Sequence, residues 1–160
     1  MRKQSGFSLI ELLIVVAIIL IIAAIAIPNL LRARIAANES SAVASIRTVN
    51  TAMISYDSAY PTVGYSSNLA DLGGASCTPP NSASACLIDS QLASGTKSGY
   101  SFSAVGSGGP PAGSYQVIAS PLAADQTGVR YFCSFADAVV RYSTTALTTS
   151  TCTYSVSPLQ

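Results

Sequence analysis

The stretch Gly6-Phe7-Ser8-Leu9-Ile10-Glu11-Leu12-Leu13-Ile14-Val15-Val16-Ala17-Ile18-Ile19 decides how the chain is read. It opens an apolar run that continues to Ile27, is closed by Pro28, and is interrupted only by Ser8 and Glu11. At about 1.5 Å of rise per residue, Phe7 to Ile27 makes a helix of about 30 Å, the thickness of a bilayer's hydrocarbon core. Ile and Val are modest helix formers in water, but in lipid the backbone must bond internally, and one segment can do so only as a helix. Residues 1–6, Met-Arg-Lys-Gln-Ser-Gly, are short, polar and basic. Arg2 and Lys3 are expected to stay cytoplasmic, which places everything after Pro28 on the far side of the membrane.

Glu11 is the only charged residue between Lys3 and Arg32. A carboxylate within a membrane span costs about 2.5–3.5 kcal/mol on insertion scales, so it should have a partner. The nearest cations in the chain are Arg2 and Lys3. Cleavage after Gly6 removes both and creates a new cation, the α-amino group of Phe7. That amine could approach Glu11 of its own helix. Between staggered helices it could meet the Glu11 of a neighbour, neutralising both groups and fixing the stagger of an assembly.

With these residues on view, the segment resembles the class III signal of type IV prepilins and type II secretion pseudopilins. The likeness covers about the first 35 residues, and beyond them is one of architecture only. In that family a membrane peptidase cuts after the glycine and methylates the new N-terminal phenylalanine. The resemblance implies that Gly6 is the cleavage residue, Phe7 the methylated mature N-terminus, Glu11 the assembly carboxylate and Pro28 the helix-kinking proline. It also implies the partners: identical or homologous pilin subunits, the prepilin peptidase, an inner-membrane assembly platform with its ATPase, and membrane lipid before assembly. The expected product is a type IV pilus filament, with the major pseudopilin of a type II secretion system as the alternative.

Two other readings of the N-terminus compete. Arg2 and Lys3, the apolar run and Ala24-Ile25-Ala26 also fit a secretory signal peptide, which would release a soluble binding domain beginning at Ile27. Glu11 argues against this, because a charge early in the apolar region weakens such a signal. A plain signal anchor would tolerate Glu11 near the interface.

After Pro28 a helical pattern resumes. Leu31, Ile35, Ala42, Ile46, Val49, Met53 and Tyr56 recur at spacings of three, four or seven and form one apolar stripe, with Arg32, Arg34, Glu39 and Arg47 expected mostly off it. The organisation expected is therefore a leader over 1–6, a transmembrane and assembly helix over 7–28, its amphipathic continuation over 29–56, and a globular head over 57–160. Residues 57–98 read as loop and turn, with a short helix around Asp89–Ala93. The last third reads as four antiparallel strands, Tyr100–Val105, Tyr115–Ser120, Arg130–Phe135 and Ala138–Tyr142, separated by Gly- and Pro-bearing turns. The strands by themselves give an α+β fold; a long helix laid on a four-stranded antiparallel sheet is what the pilin resemblance implies.

Composition narrows the chemistry. Only 9% of the 160 residues are charged, against about 25% in ordinary soluble domains, and the net charge is +1. Basic residues form no cluster, so nucleic-acid binding is not expected. The chain lacks His, the commonest general base and metal ligand, so no enzyme activity, metal or cofactor is expected. Asp125-Gln126-Thr127-Gly128 offers one carboxylate, too few for a good calcium site, and is read as a turn. Gly95-Thr96-Lys97-Ser98 lacks the order of a phosphate loop and is also read as a turn. Four cysteines beyond a membrane span suggest disulfides. Of the three connectivities, Cys77–Cys86 with Cys133–Cys152 is favoured because these pairs are close in sequence.

Overall fold

The structure, a computed structural model, describes residues 7–74 and 79–159. The chain divides into two compact units, Met1–Arg34 and Ile35–Gln160. Helix α1, Leu9–Ala59, contributes to both and carries Pro28 within it.

In the second unit, α1 presents Ala42, Ile46, Val49, Met53 and Tyr56, all buried, to the sheet. These are five of the seven residues of the expected stripe, and their three-to-four spacing gives the helix one apolar face; Leu31 is exposed and Ile35 half-buried, because they precede the head's core. Two single-turn helices follow, α2 (Leu69–Leu72) and α3 (Ser90–Ala93). Helix α3 begins where expected because Asp89 caps it, its Oδ1 accepting the Leu92 amide at 3.0 Å.

The sheet has five strands, not the four expected: β1 (Thr96–Lys97), β2 (Tyr100–Ser107), β3 (Ser114–Pro121), β4 (Tyr131–Phe135) and β5 (Arg141–Ser143). They form an antiparallel meander in sequence order. The extra strand, Thr96–Lys97, falls within Gly95–Ser98, which by sequence reads wholly as turn. The turn itself is Ser98-Gly99, two residues with φ of 49° and 76°, which suit the tight primed hairpin that pairs Lys97 with Tyr100. A salt bridge from Lys97 to Asp89 at 2.8 Å holds β1 to the α3 cap. The last strand starts later than expected. Ala138 adopts φ of 57° and the Asp137 carboxylate takes the Val139 amide, so the chain extends only from Arg141.

The main core lies between α1 and one face of the sheet, where Tyr100, Phe102 and Ala104 of β2 meet Tyr115, Val117 and Ala119 of β3 and Phe132 of β4. The opposite face is covered too. Ile118 and Cys133 pack with Leu147 and Cys152 of the C-terminal segment, and a Cys133–Cys152 disulfide fastens that segment down. Burial on both faces explains why Val117, Ile118 and Ala119 are consecutive buried residues in a strand whose side chains alternate in direction. The other expected pair, Cys77–Cys86, falls on Cys77, which lies outside the described residues.

Candidate functional site

Among its described residues, the first unit is a helix with no buried residue. Its large apolar side chains, from Phe7 at 77% exposure through Leu12, Ile18 and Ile22 to Leu30, face outward. By length and composition α1 is able to cross a membrane, and none of its most apolar window is buried within the protein. Removing that much apolar surface from water requires lipid or other helices.

Glu11 sits in the first turn of this helix. Its Oε2 accepts the backbone N–H of Ser8 at 2.9 Å. Ser8 stands just before the helix, and its carbonyl accepts the first helical bond, from the Leu12 amide at 3.3 Å. Ser8-Leu9-Ile10-Glu11 therefore has the glutamate-to-amide half of a capping box, in which an acid three residues into the helix satisfies an orphan amide at its start. The Ser8 amide is a neutral partner, which adds to the cation expected for Glu11 and does not replace it. The S-x-x-E spacing was the signal for the cap. A negative charge here also complements the positive end of the helix dipole. The arrangement lowers the cost of carrying a carboxylate into an apolar segment without using Glu11's second oxygen. Phe7 lies next to this group in sequence, whereas Gly6 falls outside the described residues.

In the second unit the functional question is how the head is held on α1. Glu39, expected mostly off the apolar stripe, is 6% exposed. Its Oε1 accepts the amides of Val129 and Arg130 at 2.9 and 3.0 Å, and its Oε2 accepts the Arg130 Nε at 2.7 Å. Burial raises the Glu39 pKa, but the two amides and the Arg130 guanidinium outweigh that and hold it below the usual carboxylate value. One residue earlier, the Asn38 amide donates to the Thr127 carbonyl at 2.9 Å. Two residues later the Ser41 hydroxyl donates to Ser98 at 2.9 Å. Tyr100, buried beneath, donates its hydroxyl to the Arg130 carbonyl at 2.8 Å. These contacts fasten the Asp125–Gly128 turn to the helix. Position 39 is four after Ile35 and three before Ala42, so its spacing placed it on the buried face; only its charge argued otherwise.

The Asp125–Gly128 segment is a turn, closed by the Asp125 amide on the Gly128 carbonyl at 3.0 Å. Among the described residues, no three His, Cys, Asp or Glu side chains converge as metal ligands would.

Residues 1–27 match the family model described as the prokaryotic N-terminal methylation motif. Its N-terminal segment carries this motif and is similar to those of type IV pilins and a type II secretion pseudopilin. Over 40 residues it is 65% identical to the type IV wide pilus major component PilA4 of Thermus thermophilus, covering 25% of this chain and 30% of that protein. Over 65 residues it is 42% identical to the type II secretion system core protein G of Vibrio cholerae, covering 39% and 44%. Over 54 residues it is 46% identical to the type IV major pilin protein PilA of Myxococcus xanthus, covering 34% and 24%. The matches thus span less than half the length of each relative. No solved structure matches this chain at a significant level. The motif match over 1–27 does not favour a secretory signal released after Ala26.

Proposed function

We propose that the chain is a structural subunit of a type IV pilus-like filament, cleaved between Gly6 and Phe7, methylated at Phe7, and polymerised through α1. The observation that carries this reading is an outward-facing apolar span, Phe7–Ile27, whose single carboxylate, Glu11, lies four residues after the expected new amine. Before assembly the helix sits in a bacterial inner membrane with the head outside the cytoplasm. Prepilin peptidase removes residues 1–6. The assembly platform then moves the subunit from lipid to filament, where Phe7–Ile27 of many copies replace lipid contacts with one another. Glu11 exchanges or shares its Ser8 amide for the Phe7 amine of a neighbour, which sets the register. Pro28 removes one amide donor from the helix just beyond the apolar span and kinks it there. The role is structural and needs no cofactor.

The test is Glu11→Ala, scored by membrane fractionation and by sheared filament yield. The proposal expects normal insertion with filaments lost; normal filament yield from that variant would sink it. A second reading is the major pseudopilin of a type II secretion system, favoured by the longest of the three alignments, that to core protein G. Deleting the gene separates the two: loss of surface fibres supports the pilus, and loss of secreted enzymes with fibres intact supports the pseudopilus.

A further inference from the structure

The charges of the chain leave a definite remainder. In the unit Ile35–Gln160 the cations are Arg47, Lys97, Arg130 and Arg141, and the anions are Glu39, Asp57, Asp71, Asp89, Asp125 and Asp137, giving 4 − 6 = −2. Three pairs form within it, Lys97–Asp89 at 2.8 Å, Arg130–Glu39 at 2.7 Å and Arg141–Asp137 at 2.6 Å. Among the described residues, no ion pair engages Arg47, Asp57, Asp71 or Asp125. Arg32 and Arg34, just past the apolar span, are exposed and likewise engage no carboxylate. The positions three and four away from each on the helix are Pro28, Asn29, Leu30, Leu31, Ile35, Ala36, Ala37 and Asn38, none of them acidic.

Asp57 stands apart among the three remaining acids. Asp71 accepts from the Ser66 hydroxyl at 3.3 Å and the Asn68 amide at 3.5 Å. Asp125 lies on the turn fastened to Asn38, at the near end of the head's helix. Asp57 is half-buried in the last turn of α1, where no basic residue is present. Unpaired carbonyls make that end of a helix negative, so an acid there is unfavourable and a cation favourable. Asp57 and the helix terminus together form an anionic position that the subunit's own described side chains do not neutralise.

From this we infer that the C-terminal turn of α1, at Asp57, receives the guanidinium groups of Arg32 and Arg34 from a second copy of the chain. The inference rests on the filament reading. Asp57 follows Arg34 by 23 residues of α1, about 35 Å of helical rise, so a second copy shifted lengthwise by that amount would bring its Arg32–Arg34 segment level with Asp57. The two arginines and the head's net charge of −2 are complementary. The contact repeats once per subunit and sets longitudinal register in addition to the Phe7–Glu11 pairing.

The test is a charge swap in the full chain, read as sheared filaments from cells. Asp57→Arg alone, and Arg32→Asp with Arg34→Asp, should each reduce filament yield by about tenfold or more, because each juxtaposes like charges. Combining all three substitutions should restore most of the yield. Normal assembly of either partial variant, or no recovery in the combination while its subunit accumulates in the membrane as the wild type does, overturns the inference. Asp57→Asn guards against a folding defect: wild-type filaments should loosen as salt is raised, whereas Asp57→Asn filaments should be weaker at low salt and respond less. An unchanged salt response in that variant also overturns the inference. Failure of the wild-type chain to form filaments at all would instead remove the parent reading.

Discussion

Glu39 and Arg130 are joined twice over, by the Arg130 side chain at 2.7 Å and by its backbone amide at 3.0 Å, so one helix residue fixes both the position and the orientation of a sheet-entry strand. The pair is asymmetric: the Glu39 side chain is 8% exposed and that of Arg130 38%. Removing the arginine leaves a carboxylate that still has two amides, but removing the carboxylate leaves two amides without an acceptor.

Glu39→Ala should therefore destabilise the head by about 2 kcal/mol or more, the cost of orphaning buried donors. Arg130→Ala should cost less, since its guanidinium is partly screened by solvent. Chemical denaturation of the full chain in detergent, followed by tyrosine fluorescence, measures both. Equal losses would mean that the amides do not depend on Glu39.

Acid should act through the same group. The Glu39 pKa is lowered in the fold, and so are those of Asp89, chiefly by Lys97, and of Asp137, chiefly by Arg141. A carboxyl depressed on folding contributes stability above its unfolded pKa, near 4, and loses it as pH falls through the folded value. Head stability should be flat from pH 7 to about 5 and fall below about 4, and Glu39→Gln should shallow that acid limb. Stability measured across this range checks the sign; a rise on acidification contradicts it.

Gly128→Ala should loosen the head by about 1–3 kcal/mol, the usual cost of overpacking a filled site. A methyl group at position 128 would overlap the ring and hydroxyl of Tyr100. Tyr100 is fully buried and tied to Arg130, so it cannot swing away. Thermal unfolding of the variant and of Gly109→Ala compares a filled site with an open one, since nothing lies near an added methyl at Gly109. The latter is nonetheless strained by its φ of 87°, so its loss reports backbone cost alone.

Much of this was legible in the sequence because the signals were periodic. The apolar run before Pro28, the stripe through Ile46, Val49 and Met53, and the alternation of Tyr100, Phe102 and Ala104 each have one physical solution. The misreadings came where a local rule met a tertiary partner. Glu39 looked like a surface charge because its acceptors' donors lie about ninety residues away, at Val129 and Arg130. Strand β1 was hidden because two residues carry no periodicity, and only the Ser98-Gly99 pair marked its hairpin. Ser8 and Glu11 have the spacing of a capping box, but the cost of a carboxylate in lipid is the louder signal at that position and masks it.

Replacing Cys133 and Cys152 by serine should free the C-terminal segment from the outer face of the sheet. A cross-link across a sequence separation of 19 removes about 3 kcal/mol of unfolded-state entropy in the loop-closure model. Hydrogen exchange should rise most at Leu147–Val156 and over the outward-facing Ile118, while the α1-facing core around Ile46 and Phe132 changes less. Equal loosening of both faces would mean that the tail supports the whole head.

The most direct test of the account is the mass and N-terminal sequence of the protein sheared from the surface of its native cells. The account predicts a filament-borne chain that begins with N-methylated Phe7 and retains Glu11. A soluble chain beginning at Ile27, or a membrane-bound chain still carrying Met1 through Gly6, would contradict it.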